Sequence, residues 1–75
     1  MMMPYVMLSS TSDFYFYQDV RSYIGRNVDC QTTGGPVRGK LLEVYPDHIV
    51  IDFRTGSGTI PYLVRIDAII WIHLT

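Results

Sequence analysis

From Asn27 to Leu74 short apolar and polar runs alternate with a period near two, the spacing of strands rather than helices. The stretch Gly39 to Phe53 organises the rest. Val37, Leu41 and Tyr45 fall on one face of a strand, and Ile49, Ile51 and Phe53 on one face of the next. Pro46-Asp47 between them supplies a turn, since proline presets φ and Asp bonds its own backbone just beyond. Ahead of this hairpin, Val28 and Cys30 alternate with Asp29 and Gln31, and Thr32-Thr33 lead into Gly34-Gly35-Pro36. The glycine pair permits positive φ at both turn centres, so residues 27–33 and 37–45 form a first hairpin. Gly39 within the second strand marks a bend where the sheet coils on itself. Behind Phe53 or Arg54, the segment through Gly58 is a flexible turn. Ile60, Tyr62, Val64 and Ile66 then share a face of a fourth strand, in which Pro61 predicts an edge or a bulge. Arg65-Ile66-Asp67-Ala68 reads as a short corner. Ile69 to Leu74 is a last strand, apolar on both faces, whose outer side needs the helix or a second copy to cover it.

The period changes before Asn27. From Phe14 to Ile24, Phe16, Tyr17, Val20, Tyr23 and Ile24 share one arc at ~100° per residue, which predicts an amphipathic helix. Gly25 follows it where a left-handed cap is wanted, and Ser12 or Asp13 is placed to cap its start. The Phe-Tyr-Phe-Tyr run has strand propensity as well, so a strand is the competing reading. Residues 1–12 read as a flexible arm and 13–75 as one domain. The alternative for the arm is that Tyr5, Val6 and Leu8 pack as an extra strand or on a neighbouring copy.

Composition sharpens the picture. The chain has 75 residues, 48% of them hydrophobic and 17% charged. A domain of this size buries only ~60% of its unfolded surface, so its own core is marginal. Small domains compensate with disulfides, metals or association. Cys30 stands alone and no cysteine cluster suggests zinc, which leaves association. Six basic and seven acidic groups give a net charge of −1, without the basic excess of a nucleic-acid or membrane binder. The apolar start lacks a positive leader and is too short to span a bilayer, so a cytoplasmic protein without membrane contact is expected.

A helix followed by five strands, the second bent at glycine, resembles the Sm-like small barrel, a mainly β fold. The residues carrying the resemblance are Gly25-x-x-Val28, Gly39-x-Leu41 and the Arg65-Ile66-Asp67-Ala68-Ile69 corner. More closely, Val28 to Leu41, Tyr45-Pro-Asp-His-Ile-Val and Ile69-Ile-Trp-Ile are similar to a family of small uncharacterised proteins of spore-forming Gram-positive bacteria. That family is distantly similar to GerQ-type spore-coat proteins. The resemblance implies a spore-associated assembly role and a place in the forespore or spore. An SH3-like barrel is the alternative fold, lacking the leading helix. Uridine-gripping Sm proteins share an Asp and a Met-Asn pair near the turn after strand two, and an Arg-Gly at the last corner. Here those places hold Tyr45-Pro46-Asp47-His48-Ile49 and Ile66-Asp67, so the base-binding residues do not carry over. Acidic Asp67 at the corner would repel phosphate.

No spacing announces catalysis. Cys30 has no base beside it, Gly34-Gly35 sits in a hairpin rather than before a helix, and Asp47, His48 and Asp52 do not make a metal set. The expectation is a non-enzyme without cofactor or small-molecule substrate. Cys30 reads as a small buried hydrophobe. Two functions remain. One is a homo-oligomer joined through the edges of strands four and five, using Tyr62, Val64, Ile69, Trp71 and His73. The other is a binder of single-stranded RNA through Arg38, Lys40, Tyr45 and His48, against which Arg38 and Lys40 also read as the solvated side of a hairpin. The apolar, unstapled chain favours the first.

Overall fold

The computed structural model describes residues 11–75, with side chains from Tyr15 onward. The expectations for residues 1–10 therefore lie outside the described residues, as do the capping side chains of Ser12 and Asp13. Helix α1 spans Thr11–Arg21, and five strands follow: β1 Asn27–Thr32, β2 Gly35–Val44, β3 His48–Thr55, β4 Gly58–Arg65 and β5 Ile69–Leu74. A single 3₁₀ turn, Ile66–Ala68, forms the corner before β5. The strands make one antiparallel sheet in the order β4-β3-β2-β1-β5. The fold is thus mainly β with one short helix. The sheet is not closed, and among the described residues β4 and β5 are its two edges.

The helix begins and ends three residues earlier than the apolar arc predicts. Beyond Arg21 the backbone tightens. Tyr23 N–H donates to the Val20 carbonyl at 2.9 Å and Arg26 N–H to the Tyr23 carbonyl at 2.9 Å, bonds of the i to i+3 kind. Gly25 then takes φ +89°, the left-handed conformation expected of it. Its N–H reaches the Leu41 carbonyl at 2.8 Å, and Leu41 N–H donates to the Arg26 carbonyl at 2.9 Å. The end of the helical segment is stitched to β2 where β2 leaves β1. Val20 is consequently buried, and Phe16, Tyr17 and Tyr23 pack against the core it joins. Ile24, assigned to the same arc, lies beyond the last helical turn and is exposed.

The enclosed core is Val28 and Cys30 of β1, Leu41 of β2 and Ile49 and Ile51 of β3, all without solvent exposure. The predicted inward row Val37, Leu41, Tyr45 fails at its last member. A bulge between Leu41 and Glu43 inserts one residue into β2, so Val44 takes the inward position and Tyr45 emerges at the surface. A second irregularity lies in the β1–β5 ladder, where Thr32 pairs with Ile69 but Gln31 with Trp71. Ile70 is the extra residue and stands 62% exposed, while Ile69, Ile72 and Leu74 pack on the core. The outer side of β5 is covered by no part of the chain among the described residues. Of the two covers expected for it, the helix makes its main contacts with β2 instead.

Two of the three hairpin turns among the described residues share one chemistry. In Thr32-Thr-Gly-Gly35 the Thr32 hydroxyl accepts from Gly34 N–H at 3.0 Å and donates to the Gly35 carbonyl at 2.7 Å. In Thr55-Gly-Ser-Gly58 the Thr55 hydroxyl does the same with Ser57 N–H and the Gly58 carbonyl. Of the Gly34-Gly35 pair, only Gly35 has positive φ, because the hydroxyl bridge and the turn residues Thr33-Gly34 already reverse the chain. Gly39 is required for a different reason. A Cβ built there falls 2.2 Å from the Asp52 carbonyl oxygen, so β2 and β3 touch backbone to backbone at the bend. Pro61 lies on an edge strand, as predicted, and pairs with Asp52 without a bulge.

Candidate functional site

The four residues assigned to nucleic-acid contact do not form one patch. Arg38 and Lys40 project from the outer face of β2, in its first half. Tyr45 and His48 flank the turn at the other end, five residues beyond Lys40 or ~16 Å along an extended strand. There the two rings stack at 4.7 Å between centroids, His48 Nδ1 lies 2.7 Å from the Asp47 carboxylate, and the Tyr45 hydroxyl donates to Glu43. Ile66 N–H donates to the Asp47 carbonyl at 3.0 Å, fastening this turn to the corner. The corner itself is held by Arg65, whose Nε and Nη2 donate to the two Asp67 oxygens at 3.1 and 3.2 Å. The turn is therefore a carboxylate-rich knot of internal bonds. The hydrogen bond from His48 holds the Asp47 carboxyl below its ordinary range, and the one from Arg65 does the same to Asp67. Hydrogen bonding to Glu43 raises the Tyr45 hydroxyl above its usual value.

Arg38 meets Asp29 of β1 at 2.9 Å, directly across the ladder. That hydrogen bond holds Asp29 below the usual carboxylate range against an opposing effect of burial. Lys40 faces Asp52 across the β2–β3 register. A groove of about 490 Å³ runs beside this row, lined by Asn27, Arg38, Gly39, Phe53, Arg54 and Thr75. A smaller one of about 150 Å³ adjoins it and adds Lys40, Asp52 and Thr59. Arg54 was not among the expected site residues. Its sequence signal is the Gly39 bend, which brings the two strands close at this level.

The residues assigned to self-association divide differently. Val64 and Ile69 face inward against the core. Tyr62 is exposed and stacks on Phe53 at 5.0 Å, and exposed Trp71 stacks on His73 at 5.1 Å. Ile60, Leu63 and Ile70, which sequence reasoning passed over, join them at the surface. Leu63 is 72% exposed. Five of the nine exposed large hydrophobic residues among those described thus sit on the two edge strands: Ile60, Tyr62 and Leu63 on β4, Ile70 and Trp71 on β5. Cys30 is fully enclosed, and burial, reinforced by the neighbouring Asp29 charge, pushes its thiol up to about 11. That is a structural cysteine and not a nucleophile.

A family profile described as "Domain of unknown function (DUF2642)" matches residues 5–73. The chain belongs to this family. A relative, the uncharacterized protein YuzF of Bacillus subtilis (strain 168), is 40% identical over 63 residues, which cover 84% of this chain and 77% of that protein. The DUF2642 match takes in α1, β1 to β4 and β5 as far as His73. Among the described residues no three His, Cys, Asp or Glu side chains gather as a metal set, and no helix is long and apolar enough to cross a membrane.

Proposed function

We propose that this chain is a non-enzymatic, Sm-like assembly module that associates with copies of itself through its sheet edges. The observation that carries the reading is the concentration of exposed apolar side chains on β4 and β5, the two strands that form the sheet edges among the described residues. An uncovered edge with an apolar flank is a template for another strand. The occupant argued for is a second copy, because β4 and β5 lie at opposite ends of the strand order. The β4 edge of one copy and the β5 edge of the next make a head-to-tail contact, which closes into a ring if the rotation permits. The leading helix and the glycine-bent β2 favour the Sm-like over the SH3-like reading of the sheet. Resemblance to small proteins of spore-forming bacteria supports a spore-associated setting by analogy. The RNA-binding alternative is the weaker one, since Tyr45 and His48 lie away from Arg38 and Lys40.

Sedimentation velocity at tens of micromolar tests the proposal. A species of several protomers is expected, and the double substitution Leu63→Lys with Trp71→Lys should return it to a monomer with an unchanged far-UV spectrum. A wild-type protein that remains monomeric overturns it.

A further inference from the structure

The groove beside the Gly39 bend has a charge arrangement that the edge-pairing role does not use. The β2–β3 ladder ends at Gly39 and Phe53, and the next residue on each strand, Arg38 and Arg54, lines the groove from its own side. Like charges gathered along one groove repel unless something neutralises them. Asp29 answers Arg38 at 2.9 Å, but no described carboxylate forms an ion pair with Arg54 or with Lys40. Three cations meet two carboxylates, Asp29 and Asp52, on a chain whose net charge is −1. Half of all Lys and Arg residues stand on this one side of the bend. Neutral donors complete the lining: the Asn27 amide and the Thr75 hydroxyl, with Phe53 as the aromatic part of the wall. The close approach of β2 and β3 at Gly39 forms the floor between the two arginines. Its volume of about 490 Å³ is within the range of small-molecule sites.

We infer that this groove binds a phosphate group carrying a flat ring, the chemistry of a nucleotide, with Arg38 and Arg54 gripping the phosphate from the two strands. Guanidinium forks suit phosphate oxygens better than ammonium groups do. The Asp29–Arg38 pair does not block the site. Arg38 is largely exposed and keeps further N–H donors, and Asp29 orients it from behind. Both arginines stand on the inner strands β2 and β3, so binding and edge association are read by separate variants.

Amide NMR titration of the intact chain, followed at Gly39 and Arg54, tests the inference with inorganic phosphate, adenosine, adenosine monophosphate and a six-nucleotide uridine oligomer. Adenosine monophosphate is expected to bind saturably and tighter than phosphate, with adenosine alone weakest. Arg54→Gln and Arg38→Gln should each weaken it about tenfold or more, the worth of a charge-assisted bond, while Arg21→Gln on the helix changes nothing. Tighter binding of the oligomer, lost in the same two variants, assigns the phosphate to a strand; tighter binding of the mononucleotide assigns it to a free nucleotide. Either supports the site. Adenosine binding as well as its monophosphate, affinity unchanged in Arg54→Gln, or no saturable shift at millimolar ligand overturns it. Because a Leu63→Lys, Trp71→Lys protein keeps the groove, loss of association and loss of binding are separable results.

Discussion

Replacing Gly39 by alanine should injure this fold more than a single methyl group ordinarily does. The added Cβ would stand 2.2 Å from the Asp52 carbonyl oxygen, 2.9 Å from its carbon and 3.1 Å from Ile51 Cγ2. A carbon and a carbonyl oxygen rest comfortably at ~3.3 Å, so β2 and β3 must part by about 1 Å at the bend. Two of the three atoms are backbone and cannot swing aside; the third belongs to a fully enclosed core residue. Parting the strands weakens roughly two ladder hydrogen bonds at about 1 kcal/mol each. Overpacking against Ile51 adds about 1 kcal/mol or more. Against this, alanine lowers the entropy of the unfolded chain, which returns about 0.4–1 kcal/mol. The net loss is about 2–3 kcal/mol, or roughly 10–20 °C in Tm for a domain of this size. Thermal and urea unfolding followed by far-UV circular dichroism measures it. Gly56→Ala is the control, because nothing lies within 4 Å of its Cβ and its φ is ordinary; it should stay within about 0.5 kcal/mol. A Gly39→Ala protein as stable as the control would refute the claim that backbone contact at the bend fixes the sheet.

Cys30 should resist Ellman's reagent at pH 8 in the native protein and react fully once unfolded, since its enclosed thiol titrates only near 11; rapid native labelling would contradict its burial. Asp29 has a folded-state pKa below its unfolded one, so its contribution is complete above the ordinary carboxylate pKa and fades as pH falls through the lowered value. Asp29→Asn should therefore flatten the acid limb of a stability-against-pH curve below about pH 4 and leave its shape above pH 6 unchanged. Thr32→Val removes a nearly buried hydroxyl that accepts from Gly34 and donates to Gly35, with an expected cost of about 1–2 kcal/mol in urea unfolding. Thr55→Val, in the exposed counterpart turn, should cost less than that; equal costs would show that burial is not what distinguishes the two bridges.

Local chemistry was legible in the residues. Alternation placed all five strands, and Gly25, Pro46-Asp47 and Pro61 marked a cap, a turn and an edge, because each of these depends on conformational limits that a residue carries with it. Parity of the strands was legible only as far as the first bulge. One extra residue at Leu42 reverses which side chains face the core, so Val44 goes in and Tyr45 comes out. The same mechanism exposes Ile70 on β5.

Chain pattern alone thus determined a mainly β domain with a leading helix, a lone enclosed cysteine and a glycine-dependent bend. Tertiary structure decided what lies beside what. Pairing of β2 with β3 brought Arg54 and Arg38 to one groove and left Tyr45 and His48 at the far turn, and α1 docked mainly on β2, so that among the described residues the outer side of β5 is uncovered. Periodicity reports the face a residue occupies on its own strand. Register and bulges, set jointly by two strands and the core between them, decide which neighbour it meets.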